Sequence, residues 1–193
     1  MDILTESEYV NETFEGIEYE RNPLSSASFT NCRFISCRFN TVNFTGTSFV
    51  DCTFDHCEIS LPVLTDTEFR DIVFKESKLI GADFTKCNLN FFHLSFENCL
   101  IDMCNFSSLK MKNTPFLKSM VRETRFIETL LTGARFDESD LEHTLFHQCN
   151  LEGASFKNAR NYFIDPTTNK LKGASFSLPE AISLLTNLGI TLV

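Results

Sequence analysis

Tryptophan is absent and tyrosine is scarce, with 3 residues in a chain of 193, yet phenylalanine reaches 21. A core packed without pattern would draw on all three aromatics, so this imbalance asks for one apolar ring, repeatedly, in one kind of slot. Glycine and proline are also few, 7 and 5. No Gly/Pro/Ser-rich stretch marks a linker, and no glycine-rich loop is present to cradle a phosphate. No apolar run approaches the roughly 18 residues of a membrane span, and no positively charged start precedes an apolar segment. The expectation is a cytoplasmic protein with no signal peptide and no membrane contact, long enough for one sizeable core. Positive charge is in deficit, 17 Lys and Arg against 26 Asp and Glu, for a net charge of -9. That balance disfavours direct binding to nucleic acid and suits a basic partner or simple solubility.

What is present is a register. Phe34, Phe39, Phe44, Phe49 and Phe54 recur at every fifth position. In an α-helix five residues rotate the side chain by about 500°, so successive rings would scatter around the axis. In a flat strand they would alternate between faces. Followed outward, every fifth residue from Leu4 to Leu89 is Leu, Ile, Tyr or Phe; the register slips over 89–96, resumes at Phe96 and runs to Phe156, with Leu171 and Phe176 in the same phase. Two residues before each central position, i, the chain places mostly Ala, Cys, Ser, Thr or Val, and positions i-1, i+1 and i+2 carry nearly all the charge. Two inward residues per five, with a turn between groups, describe a chain that bends at regular corners and coils into a solenoid.

This pattern, seen in GADFT at 81–85 and GARFD at 133–137, resembles the pentapeptide-repeat family over about residues 17–176. The resemblance implies a right-handed quadrilateral β-helix, an all-β solenoid with four pentapeptides per coil of about 20 residues, ending in a short C-terminal α-helix. Coils about 4.8 Å apart would bring each ring over the one 20 positions on, so Phe34 is expected under Phe54. Charges 20 apart should then be neighbours: Asp55 with Lys75, Lys118 with Glu138, Asp140 with Arg160, the column Arg38, Glu58, Lys78 and the column Asp102, Arg122, Glu142. Asp51 above Asp71 runs against the rule.

The expected divisions are an acidic irregular cap over 1–16, because Glu12 at i-2 does not belong in an apolar slot, the repeat over 17–160 with its slip at 89–96, and a C-terminal module over 161–193. There NYFIDPTTNK breaks the repeat, LKGASF restores it, and SLPEAISLLTNLG reads as a helix with a Ser177/Glu180 capping box, Pro179 in its first turn and Gly189 at its end. Leu178, Ala181, Ile182, Leu184, Leu185, Leu188, Ile190 and Leu192 offer more apolar surface than one coil end would cover, which points to self-association; the alternative is a monomer's cap folded back on its own coil.

Catalytic chemistry finds little support. Cys32, Cys37, Cys52, Cys57, Cys87, Cys99, Cys104 and Cys149 all fall at i-2, where each reads as a small buried group rather than as a zinc ligand or disulfide partner. His56, His93, His143 and His147 sit at outward or slip positions, and only Glu142 beside His143 approaches an acid–base pair. No metal, cofactor or enzymatic activity is expected. The belt Lys110, Lys112, Lys118, Arg122 and Arg125 is followed by an acidic coil with Glu128, Asp137, Glu138, Asp140, Glu142 and, further on, Glu152, which is the candidate partner-binding surface. The C-terminal module is similar to that of the members that protect DNA gyrase and topoisomerase IV from quinolones and toxins. The resemblance therefore implies a non-catalytic dimer that binds gyrase or topoisomerase IV and partly imitates duplex DNA, without the long loop that projects from some quinolone-resistance members. The alternative is a scaffold presenting one face of the coil to an unrelated protein.

Overall fold

The computed structural model describes residues 7–20, 24–186, 188 and 190. Each full pentapeptide contributes a strand or bridge of a few residues and then a corner. In the first coil the strands are Glu8–Val10, Thr13–Glu15 and Glu18–Glu20, and the middle residue of each points inward. The apolar side chain at i drives this local choice, because only the inside of the tube removes it from water. The corner follows at i+2, where the backbone is left-handed: Asn11, Asn31, Ser36, Asp51 and His56 all have φ between 52° and 60°. That conformation costs a non-glycine residue roughly 1–2 kcal/mol, least for Asn and Asp, and the ladders and ring stacks it permits offset the cost.

Strands of one face pair in parallel with those of the next coil. On the first face Tyr9, Phe29, Phe49 and Phe69 align. The second face aligns Phe14, Phe34, Phe54, Phe74, Phe96 and Phe116. The third aligns Tyr19, Phe39, Ile59, Leu79, Ile101 and Val121. The fourth is held by bridges such as Asn43 to Val63 and Asp83 to Asn105, and later by paired strands Arg125–Ile127, Leu145–His147 and Phe163–Ile164. The result is a four-faced solenoid of about 8 turns closed by a short helix.

Inside, Phe34 lies on Phe54 with ring centroids 4.7 Å apart and planes 7° from parallel. The second face carries this stack without a break from Phe14 to Phe176. Rings on adjacent faces meet edge to face, as Phe29 and Phe34 do at 5.3 Å and 67°, and so do rings on opposite faces, as Phe116 and Phe126 do at 5.6 Å and 88°. Offset stacks along the axis and edge contacts across it are the two arrangements that the ring quadrupole favours. All eight cysteines are buried and free.

The i-2 slot asks for more than small size. Thr67 Oγ1 donates to the Phe44 carbonyl at 2.8 Å, Ser77 Oγ to Phe54 at 3.1 Å, Thr129 Oγ1 to Phe106 at 3.0 Å and Cys149 Sγ to Phe126 at 3.0 Å. The acceptor each time is the central residue of the preceding pentapeptide, one coil back. A carbonyl has two lone pairs, and the side-chain proton meets one of them, which also gives the buried hydroxyl or thiol the partner it needs. Ser77, Ser119 and Asn169 also accept from the backbone N–H of the i-2 residue one coil earlier, Cys57, Cys99 and Cys149.

Two boundaries differ from expectation, and the slip does not. The part of the expected cap over 1–16 that is described is already solenoid, since Tyr9 and Phe14 ladder onto Phe29 and Phe34. Glu12 is tolerated because the slot at this open end faces water; Leu4 and the acidic Asp2 and Glu6 lie outside the described residues. The slip is real and local: Asn88 still bridges Glu68, while Phe96 sits over Phe74, two residues late. The C-terminal helix is shorter than its pattern suggested, a 3-10 turn at Glu180–Ile182 followed by Ser183–Thr186. Its capping box does not form, because Ser177 Oγ instead accepts from the Asn158 N–H at 3.0 Å and the N-cap position falls on Pro179. Gly189, the expected helix end, lies outside the described residues.

Candidate interaction surfaces

With its bore filled by rings, the tube offers only its outer walls, and their charge follows from the ladder. The third face carries Glu18, Glu20, Glu58, Asp102, Asp140 and Glu142 against Arg38, Lys78, Arg122 and Arg160. Of the expected pairs, Arg160 reaches Asp140 at 3.7 Å and Arg122 reaches Glu142 at 3.5 Å, while Arg38 turns to Glu18 at 2.8 Å rather than to Glu58. Lys75 is the ladder neighbour of Asp55, but Asp55 accepts from His56 at 2.8 Å. Surface pairs of this kind are worth little individually.

The candidate acidic residues do not form one patch. Glu138, Asp140 and Glu142 gather on and beside the third face, whereas Asp137 belongs to the second, where Arg135 at 2.8 Å and the Ser155 hydroxyl occupy its carboxylate. Glu128 sits at the left-handed corner between the fourth and first faces, and Glu152 beside the Lys172 position of the first face. Asp140 is mostly covered and also accepts from Asn161 at 2.8 Å. Glu138 is exposed and Glu142 half-buried beside Arg122, so of the three residues on this face Glu138 presents the freest charge.

At the C-terminal end the helix turns Leu184 onto the core, and Ser183 Oγ donates to the Tyr162 carbonyl at 3.4 Å. Leu178 is 78% exposed, and Ile182, Leu188 and Ile190 are exposed with it. Ala181 and Leu185 are half-buried, and Leu192 lies outside the described residues. Phe163, 58% exposed, and Leu145 stand in the fourth-face ladder that this helix packs against. Beneath them the Tyr162 hydroxyl is buried without a hydrogen-bond partner, and burial pushes its pKa up to about 12.

Among the described residues the titratable groups form no constellation for catalysis. Burial pushes the thiol of Cys52 up to about 12, Cys99 to about 11 and Cys104 to about 12, which keeps them as neutral thiols rather than nucleophiles. His56 lies between Asp55 and Glu76, 2.8 and 3.0 Å away, and the Asp55 hydrogen bond raises its pKa. His93 pairs with Asp71 at 3.0 Å. Among the described residues no group of three or more His, Cys, Asp and Glu could hold a metal ion, and no helix is long and apolar enough to cross a membrane.

The sequence reading passed over the residues of the slip. Leu89, 51% exposed, and Phe91, 77% exposed, stand on the outer wall, while Phe92 takes the inward place and meets Phe84 edge-on at 6.2 Å. The signal was available: LNFFHLSF puts a Phe at i+2, the corner position that elsewhere in this column holds Asn, Asp or Gly.

Comparison with known proteins agrees with this architecture. Residues 27–106 match the family model described as a pentapeptide repeat region, and residues 122–160 match pentapeptide repeats in 8 copies. Comparison with curated proteins gives no match. Among solved structures, one trypsin-treated form of QnrB1, a plasmid-mediated fluoroquinolone resistance protein, is similar at a TM-score of 0.72 and 18% identity, covering 96% of this chain and 99% of that one. A second trypsin-treated form of QnrB1 is similar at a TM-score of 0.66 and 20% identity, covering 96% and 98%. At such identity the likeness is one of fold. The register, the stacked core and the matched segments agree, and the chain belongs to the pentapeptide-repeat family.

Proposed function

We propose that this protein is a non-catalytic, dimeric rod that binds DNA gyrase or topoisomerase IV. The reading rests above all on the geometry: a tube whose core is filled and whose exposed features are a long wall, an acidic ridge and an apolar end. A filled bore leaves no room inside to exclude water around a reacting bond, and the walls bring together no catalytic set among the described residues. The fold likeness to QnrB1, a fluoroquinolone resistance protein, extends over nearly the whole of both chains and directs the choice of partner.

Imitation of duplex DNA would be by shape more than charge. Duplex DNA presents one negative charge per about 1.7 Å, and eight coils at about 4.8 Å make a rod of roughly 40 Å. Matching it would take more than about twenty charges, against a net charge of -9 with several carboxylates already tied to arginines. Glu138 and Glu142, with Glu123 one coil earlier, form the ridge that would meet basic enzyme surface. The C-terminal apolar end would join two copies and double the length of the rod.

The test is a gyrase supercoiling assay with the protein titrated in, with and without a quinolone. Inhibition of supercoiling, or relief of quinolone inhibition, at micromolar protein is the expected result. Neither effect would reject the topoisomerase reading and leave the rod as a scaffold for another protein.

A further inference from the structure

The two extra residues at the slip build a notch of a different character from the rest of the wall. Asn88 keeps its bridge to Glu68, and Leu94 rejoins the ladder opposite Ile72, so the insertion is confined to residues 89–93. Leu89 would fill the bore in an uninterrupted repeat. Here Phe92 leans inward instead, and Leu89 and Phe91 are left outside. Phe91 stands at a left-handed corner, φ 59°, a conformation that a bulky residue rarely adopts. Neither apolar burial nor backbone preference accounts for an exposed phenylalanine there.

Cations frame the notch. The Arg70 guanidinium lies 5.3 Å from the Phe91 ring centroid, within cation–π range. Leu89, Asn90, Phe91, Phe92, Ser108 and Lys110 line a cavity of about 460 Å³, large enough for one or two side chains. Lys110 and its neighbour Lys112 make no ion pair among the described residues, whereas Arg70 is held by Glu68 at 2.5 Å. On a chain with net charge -9, Lys110 and Lys112 thus put unpaired positive charge beside an apolar notch.

We propose that the notch is a docking site for an acidic segment of a partner protein that carries one aromatic or large aliphatic anchor. The anchor enters between Phe91 and Phe92, and flanking carboxylates face Lys110 and Lys112. A long polyanion such as nucleic acid would run from the notch onto the carboxylates of the neighbouring corners, Asp66 and Asp71, and is disfavoured by them. The site is separate from the acidic ridge and the C-terminal end, and goes beyond the topoisomerase reading.

The experiment is fluorescence anisotropy of the full chain with a short fluorescein-labelled peptide of Asp and Glu around one central Trp. Controls are the same peptide with Ala for Trp, its Lys counterpart, and a single-stranded oligonucleotide. Saturable binding of the acidic Trp peptide alone is expected, weakened about tenfold or more, or 1.4 kcal/mol, by Phe91→Asn and by Lys110→Glu. Phe91→Asn suits the left-handed corner, so its thermal melting should match or exceed that of the parent. Deleting Asn90 and Phe91, which restores the five-residue spacing, should abolish binding while the stacked core persists. Equal binding of the Ala or Lys peptides, tighter binding of the oligonucleotide, or no effect of Phe91→Asn on affinity would each overturn the proposal.

Discussion

Thr67 shows what a single position in this tube must supply. Its methyl fills the bore, and its hydroxyl gives the Phe44 carbonyl a second hydrogen bond beside the one from the Thr47 N–H. Thr67→Val keeps the volume and removes that proton. The expected cost is about 0.5–1.5 kcal/mol, the net worth of one buried hydrogen bond, read as a lower denaturant midpoint with an unchanged slope. The cysteines fill the same role with a weaker donor and add a pH dependence. Their folded pKa values, about 11 to 12 at Cys52, Cys99 and Cys104, stand above the roughly 8.5 of an unfolded thiol. A raised folded pKa means that the folded state holds its protons more tightly. The stabilisation is therefore intact below about pH 8.5 and is lost as pH climbs toward the folded values. Melting temperature should fall from about pH 9 upward, with a shallower slope in a variant with all three replaced by Ala. That cysteine belongs at i-2 was readable from the five-residue period; that the slot wants a donor was not, because the sequence does not disclose which carbonyls come within reach of it one coil back.

Among elements, the strands were the most legible and the helix the least. A period of five maps directly onto one inward ring per face, so the spacing alone sets Phe34 under Phe54. The helix was read from local capping preferences, yet Ser177 serves the Asn158 N–H of the preceding coil, a tertiary partner that local pattern cannot reveal. Likewise Glu12 looked incompatible with a bore that proves open to water at its first coil. At this end Leu178, Ile182 and Phe163 are exposed, and burying a Leu or Ile is worth about 1.5–3 kcal/mol. Light-scattering mass of Ile182→Arg and Leu178→Arg should therefore fall to that of a monomer while the parent is a dimer. A parent already monomeric, or variants still dimeric, would remove this end from self-association.

At the scale of the whole molecule, acidity proved distributed rather than concentrated. The candidate residues Glu128, Asp137, Glu138, Asp140, Glu142 and Glu152 are close in sequence, but five-residue winding deals successive charges to successive faces, and only Glu138, Asp140 and Glu142 come together. The same winding separates the cationic belt, sending Lys110 and Lys112 to the first face and Arg122 to the third. Charge clustering in sequence is thus a poor guide to charge clustering on a solenoid. If the ridge on the third face meets topoisomerase, reversing Glu138 and Glu142 to Lys should weaken the effect in the supercoiling assay by more than reversing Glu128 and Glu152, which face elsewhere.

The unbroken column of rings on the second face joins each coil only to the one before and the one after. Pulled by its two ends, such a body has no long-range tie to resist the load, and it would yield by peeling one winding at a time. Each winding freed would lengthen the tether by about 70 Å, for roughly 20 residues at 3.3–3.6 Å apiece. The part still wound would keep its shape and its outer walls.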